Sequence, residues 1–439
     1  MGVNKILQCS FVCVLFILNV TRVISQSSIL RLPDAVNIAL KKSLDIQLAK
    51  NNVEIGITNN NYGIAGGLPL VTGSVTDNEQ VSTINQKLNT GSTIDRAGAA
   101  TNNLNASVTG SILLYNGGRV IATKKRLGEL ELQSKQQLNS QVQTIMGNVM
   151  GGYYDVVRQQ SYMKTLNRAI EVARQKLDIV KTRQSVGLAN NADLFQAQID
   201  FNAALQAEQS QLLVVNQAKT ELLRLLTLNA DSAITIEDTI IVDNAVNLNT
   251  ILSSIPKNAD IVAADEQIKI NAQIVKETDA QRYPSIRANT GYNFARNKAA
   301  AGQLLLNQSY GPSIGVSVGI PIYNGSVYKR QKKVAEINVQ NAELQKDILV
   351  RDYSAQVVKL FESYTDALKQ LEAEQQNYKL SEQLLSLILQ KFQLREATIV
   401  DVKNAEESFE ASGYRLVNLN YAAKAAEIGL KQLANILTL

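Results

Sequence analysis

Catalysis needs residues that can move a proton, attack an electrophile or hold a metal, and this sequence is short of them. There is no histidine in 439 residues, so the commonest general base is missing. Both cysteines, Cys9 and Cys13, fall in an apolar leader, which leaves the remainder of the chain without thiolate nucleophiles or cysteine metal sites. Gly117-Gly118 followed by Arg119 shares only its glycines with a phosphate loop; the lysine-serine/threonine ending and the βαβ setting are absent. Carboxylates are plentiful, yet none makes a paired acid and base site. The expectation is a protein with no enzymatic activity, cofactor or metal. What remains is electrostatics and backbone shape at two breaks in long helices. Val186-Gly187-Leu188, followed by Asp193, is one break; Arg395, then Thr398-Ile399-Val400-Asp401-Val402 and Asn404, marks the other. Gly187 permits a backbone conformation that a bulkier residue resists, which suits the end of a helix. Asp401 is a carboxylate at a helix start, favourable near its positive end.

The elements that hold these breaks are rods. Every seventh residue from Val142 reads Val142, Val149, Val156, Met163, Ile170, Leu177, interleaved with Ile145, Gly152, Gln159, Leu166, Ala173 and Val180. That is a coiled-coil seam without a proline. A second seam closes the chain: Val402, Phe409, Leu416, Ala423, Leu430, Leu437, with Ala405, Ser412, Leu419, Ala426 and Leu433 between. The first rod is expected from about Arg119 to Arg183, roughly 95–100 Å at 1.5 Å per residue, with a return helix over about 192–226.

Ahead of the rods, Lys5 precedes an apolar segment from Ile6 to Val23, and Val23-Ile24-Ser25 offers a small residue before Gln26. Residues 1–25 read as an export signal, with a membrane anchor as the alternative. Lysine plus arginine number 44 against 39 acidic residues, formally +5, or +3 without Lys5 and Arg22. A balance so near neutral, without a basic run, argues against nucleic acid as a partner.

The chain then states its plan twice. Leu44-Asp45-Ile46 is echoed by Ala259-Asp260-Ile261, Tyr115-Asn116-Gly117 by Tyr323-Asn324-Gly325, and Ala192-Asp193-Leu194 by Val400-Asp401-Val402. Two repeats follow, about 28–227 and 250–439, with strands within 68–114 and 285–322, helical hairpins at 119–226 and 327–437, and a mixed segment at 227–255. Leu104, Ala106, Val108, Gly110, Ile112 and Leu114 alternate with polar residues; Ile286 to Phe294 and Ile314 to Ile322 do the same. Each apolar stretch is about ten residues, enough to cross hydrocarbon in a barrel. Residues 77–103 and 295–311 read as loops. Four strands cannot close a barrel and open edges cannot face lipid, so several chains must contribute, and three would give twelve strands. A hollow tunnel and a solid helical post both satisfy the heptads; Arg287, Asn289, Asn293, Asn105, Ser107 and Thr109 would line water if the barrel is hollow.

The duplication and the motifs at its corners resemble the TolC family of outer-membrane channels over about Ser28 to Leu437. Tyr115-Asn116-Gly117-Gly118 and Pro321-Ile322-Tyr323-Asn324-Gly325 are similar to the family's junctions between barrel strands and periplasmic helices. Val186-Gly187-Leu188 with Asp193 looks like its first tip turn, and the segment around Asp401 like its second. The resemblance implies a mixed α and β membrane protein: a homotrimer with a 12-stranded transmembrane β-barrel continuous with a long periplasmic coiled-coil α-barrel. It further implies an exit duct fed by an inner-membrane pump of RND or ABC type through a periplasmic adaptor. On this likeness Val186, Gly187, Leu188 and Arg395 are expected at the adaptor-docking tip. Asp401, Asn404 and Asp193 are expected at the entrance, with Asp401 forming a threefold ring that attracts cations. Arg395 stands where the family often has a second glycine, and Asn404 where some members carry a second acid. The alternatives are a non-conducting coiled-coil scaffold or adhesin, or the exit duct of a type I protein or peptide secretion system.

Overall fold

The computed structural model describes residues 29–438; the expected export signal at 1–25 lies outside them. The chain begins with two short helices, α1 (Leu32–Lys42) and α2 (Leu44–Asn59). The sequence pattern treats 35–59 as a single helix. Ser43 divides it, because its Oγ accepts a hydrogen bond from the Ile46 amide at 3.4 Å and so caps a new helix.

Four strands, β1 (Leu70–Lys87), β2 (Thr93–Asn116), β3 (Ser285–Ala299) and β4 (Leu306–Gly319), form one antiparallel sheet in the order β1-β2-β3-β4. Most of the expected loop at 77–103 is strand: β1 and β2 pair from Leu70 opposite Ser111 to Lys87 opposite Thr93, and the turn occupies only 88–92. The expected loop at 295–311 likewise shrinks to 300–305. A ladder needs only extended backbone and a partner, so strands continue past the hydrocarbon where alternation is no longer enforced. At the other end β4 stops at Gly319 rather than running to 322, since Pro321 has no N–H to donate.

The helical part is duplicated to the residue. Helix α3 (Arg119–Ser185) and α4 (Asn191–Leu225) recur 208 positions on as α7 (Val327–Gln393) and α8 (Ile399–Leu433), with 67 and 35 residues in each pair. Even the left-handed residues repeat: Thr227 with Asn435, and Gly187 with Arg395. Between the hairpins the chain follows an irregular path with one bridge from Thr235 to Ile29, then α5 (Leu248–Ser254) and α6 (Ala259–Asp279).

Buried apolar residues obey the same symmetry. Val149, Ala218, Leu222 and Leu226 pack in one cluster with Ile46, and their equivalents Val357, Ala426, Leu430 and Ala434 pack in another with Ile261. A third cluster nearer the helix ends joins Val172, Leu177 and Val180 to Leu385, Leu389, Phe392, Val402 and Phe409. Helix α3 packs against α4, α6 and α8 at once, which is why Tyr153, Tyr154 and Val157 are buried beside the seam residues. Among the described residues, no helix is long and apolar enough to cross a membrane.

Candidate functional site

The sheet separates two environments. On one face Thr72 and Thr109 hydroxyls meet at 2.9 Å, Ser74 and Ser107 at 2.9 Å, Asn289 donates to Ser317 at 3.1 Å and Asn293 to Ser313 at 3.2 Å. On the other, successive rungs align Val71, Gly110, Thr290 and Ile314, then Gly73, Val108, Tyr292 and Pro312, then Val75, Ala106, Phe294 and Tyr310. Ile286 opposite Val318 is the last such rung toward the helices. From Phe294 to Ile286 the apolar band spans about 27 Å of strand at 3.4 Å per residue, reduced to roughly 19–22 Å by the tilt of a barrel strand. Asn105, Ser107, Thr109, Arg287, Asn289 and Asn293 all share the polar face.

At the junction with the helices, Asn116 Oδ1 accepts the Val120 amide at 3.3 Å and so satisfies one of the free donors in the first turn of α3. A Cβ on Gly117 would lie 2.7 Å from the Ala280 carbonyl and from Tyr283 Cβ, so a side chain there has no room. In the second repeat the Asn324 carbonyl accepts the Val327 amide at 3.3 Å, followed by Gly325 and Ser326 in left-handed conformation. Tyr115, Tyr283 and Tyr323 are exposed at this rim, and Tyr292 and Tyr310 with Phe294 sit at the opposite one. Aromatic girdles of this kind flank a lipid-facing band.

At the far end of the rods the two tips share a backbone. Gly187 and Leu188 amides donate to the Gln184 and Arg183 carbonyls at 2.9 and 2.7 Å; Arg395 and Glu396 amides do the same for Phe392 and Lys391 at 3.2 and 2.8 Å. These are Schellman-type ends, requiring one left-handed residue each. Gly187 supplies it at φ 75°, and Arg395 adopts φ 69° despite its side chain. Val186, Leu188, Leu394 and Val400 are exposed apolar residues around the turns.

The carboxylates next to the turns are each the third residue of a helix whose cap is Asn190 or Thr398. Asn190 Oδ1 accepts the Asp193 amide at 2.7 Å. Asp401 Oδ2 accepts the Thr398 amide at 2.8 Å and its hydroxyl at 2.7 Å, while the Asp401 amide donates to Thr398 Oγ1 at 3.2 Å. This reciprocal box, its backbone bond first and the hydroxyl second, holds the Asp401 carboxyl below the ordinary aspartate range. Asp401 and Asn404 are both exposed within the single chain.

Two contacts between the hairpins have no counterpart in the heptads. The Arg183 guanidinium donates to the Phe392 carbonyl and lies 4.4 Å from the centre of the Phe392 ring, tying α3 to the end of α7. Burial, then repulsion from Arg395, pushes this guanidinium below its ordinary value, and Asp193 pulls the other way. About three turns above the tips, Lys176 is wholly buried, with Nζ 2.6 Å from Glu406 Oε2 and 3.0 Å from Asp200 Oδ2. One cation thus joins α3, α4 and α8. Glu406 Oε1 is buried without a partner, and burial raises the Glu406 carboxyl despite Lys176. Lys176 sits one place before seam residue Leu177, on the flank that a third helix covers; only that third helix makes it an interior position.

Known proteins show the same plan. The model of the family described as outer membrane efflux protein matches residues 35–228 and 252–435, one match per repeat. The chain is 22% identical over 301 residues to outer membrane protein TolC of Escherichia coli K12, covering 66% of this chain. The chain spans 62% and 61% of the lengths of the first two curated relatives it matches. Among solved structures, the Campylobacter jejuni CmeC outer membrane channel superposes with a TM-score of 0.77 at 16% identity, over 92% of this chain and 85% of that one. The outer membrane protein VceC of Vibrio cholerae gives 0.73 at 18% identity, over 92% and 96%. The fold is the mixed α and β type of these outer-membrane channels, a four-stranded antiparallel sheet continuous with two long helical hairpins. With both repeats matched, the chain belongs to the outer membrane efflux protein family, and its place is the outer membrane, with the long helices in the periplasm.

Proposed function

We propose that three copies of the chain form an exit duct that passively carries substrates from an inner-membrane pump and a periplasmic adaptor across the periplasm and outer membrane. The observation that carries this reading is the polar face of the sheet. Its Thr, Ser and Asn side chains are bonded across strands opposite an apolar, lipid-compatible face, and the sheet leads directly into 67-residue helices. A non-conducting post has no use for a hydrated strand face, whereas a pore needs one. The free edges of β1 and β4 require neighbours in lipid, which three chains supply.

On this reading the tips are the working end. Val186, Gly187, Leu188 and Arg395 present apolar turns to the adaptor. Asp401 lies at the entrance, where a threefold ring of ionised carboxylates favours cations; Asn404 adds no second ring, and Asp193 stands near Arg183. The Arg183 and Lys176 contacts hold the two hairpins of a protomer together and resist opening until the partners dock. Reconstitution in a planar bilayer is the test: the purified protein should insert as a trimer and give discrete, cation-preferring conductance. A monomer, or a trimer that inserts without conducting, would remove the duct reading.

A further inference from the structure

The lipid-compatible face does not end in neutral side chains. Two residues beyond the rung of Val75, Ala106, Phe294 and Tyr310, the same face carries Asp77, Leu104, Arg296 and Gln308; two further on it carries Glu79, Asn102, Lys298 and Leu306. Same-face rungs are about 6.8 Å apart along a strand, so with the tilt of a barrel strand Arg296 stands roughly 5 Å and Lys298 roughly 10 Å past the aromatic girdle along the membrane normal. The headgroup layer of a bilayer begins within that distance of the hydrocarbon edge. The helices run from the opposite end of the sheet into the periplasm, so this edge faces the outer leaflet.

Neither cation is neutralised by the protein. Among the described residues Arg296 and Lys298 form no ion pair with a carboxylate; Arg296 only reaches Asn102 Oδ1 at 3.4 Å. Asn102 gives its own amide to Asp77 Oδ1 at 2.7 Å, which holds the acidic side chain on β1, about two strand spacings, or roughly 9.6 Å, from β3. The charges are therefore sorted by strand: Asp77 and Glu79 on β1, Arg296 and Lys298 on β3. Adjacent β4 offers the neutral Gln308 and the exposed Leu306.

We infer that Arg296 and Lys298 form a seat for the phosphate of an outer-leaflet lipid headgroup, one per protomer. A guanidinium presents a two-pronged donor matched to phosphate oxygens and an ammonium adds a point charge. The girdle below and Leu306 beside Lys298 would contact the apolar part of the same lipid. This seat requires only that the face meets lipid, so it stands or falls independently of whether the lumen conducts.

The probe is lipid A carrying both phosphates, offered to the detergent-solubilised trimer in EDTA and followed by native mass spectrometry. Wild-type protein should retain the lipid, and the dephosphorylated form should be retained about tenfold less or worse, as expected for the loss of a charge-assisted bond. Arg296→Gln with Lys298→Gln should lower retention by at least about tenfold. Lys298→Gln alone, which breaks no bond within the protein, should lower it in the same direction. Asp77→Asn with Glu79→Gln should raise it, and inorganic phosphate at equal concentration should not displace the lipid. Equal retention of the two lipids, wild-type retention by the Arg296/Lys298 variant, or weaker retention by the Asp77/Glu79 variant would each overturn the inference, as would displacement by inorganic phosphate.

Discussion

Replacing Lys176 by methionine removes one charge from the seam between the two hairpins and leaves the volume of the side chain nearly intact. Asp200 and Glu406 would then face each other without a cation, in a site where Lys176 has no exposure and Glu406 very little. Removing one partner of a buried pair costs about 3–5 kcal/mol per protomer. The upper half of that range is expected near neutral pH, because one lysine serves two carboxylates here. Acid should relieve part of the loss. Burial already raises the Glu406 carboxyl above 4.5 even beside Lys176, and Glu410 is raised as well, by burial and then by Glu406 and Glu407. An acid raised in the folded state contributes stability that is complete below its unfolded value and lost as pH rises through the folded one. Without Lys176 the upward shift grows, so the variant should be weakest at neutral pH and approach wild type as the pH falls toward 4.5. Guanidinium-induced loss of helical circular dichroism at about pH 7.5 and about pH 5 measures this directly. Adding Asp200→Asn and Glu406→Gln should recover most of the stability, since no buried charge then remains. A deficit that is the same at both pH values, or absent at both, would refute the reasoning.

Asp401→Asn keeps an acceptor for Thr398 and removes the charge, so cation selectivity in a planar bilayer should fall while trimer yield is unchanged; unaltered selectivity takes the carboxylate out of the ion path. Because the Thr398 bonds hold that carboxyl below its ordinary 3.8, selectivity should persist on acidification to that value and be lost only below it. In Thr398→Val the loss should come at higher pH. Gly187→Val forces a branched side chain into a left-handed turn at a cost of about 1–2 kcal/mol, and should reduce adaptor cross-linking with barrel insertion intact; cross-linking at the wild-type level would count against docking there. Arg183→Leu frees the end of α7 and should raise the fraction of time the channel conducts, whereas unchanged gating would leave the contact a purely structural one. Leu384→Lys should shift size-exclusion profiles from trimer toward monomer without unfolding the protomer, and a wild-type profile would show that this face does not meet a neighbouring chain.

Much of the architecture is written in periodicity, because a seam residue must be buried whatever it packs against. Val149, Val156, Leu166, Ala173, Leu177 and Val180 are buried in α3, as are Val402, Phe409, Ala423 and Leu430 in α8. The strands were half legible. Where they cross hydrocarbon, from Ile286 to Phe294, alternation is enforced by lipid; from Asp77 to Lys87 the same backbone ladder continues in side chains that water accepts, and the pattern vanishes. The tip caps were legible in part, since Thr398 and Asp401 stand at capping spacing, although their bonding shows only in the structure. Lys176 and Arg183 were not legible at all. Each lies off the two-helix seam, and a heptad describes one partner, whereas α3 packs against α1, α2, α4, α6 and α8 along its length and meets the end of α7 through Arg183.

The two repeats share their backbone to the residue, so the difference between the hairpins must come from side chains at equivalent positions. The charged cluster is built from Lys176 of the first repeat with Asp200 of the first and Glu406 of the second. At the positions 208 residues away stand Leu384, Ser408 and Gln198, none of them charged. The seam inside the protomer is therefore closed by an ion cluster that tolerates one register, because any slip strands a buried charge. The equivalent face of α7 carries exposed Leu380, Leu384 and Leu387, an apolar stripe that no other described residue covers. A stripe of leucines tolerates small rotations that a buried lysine does not. The duplication thus yields two kinds of surface from one scaffold: a charged seam that keeps the hairpins of a protomer in register, and an exposed apolar stripe that would let a helix packed on it shift along its length.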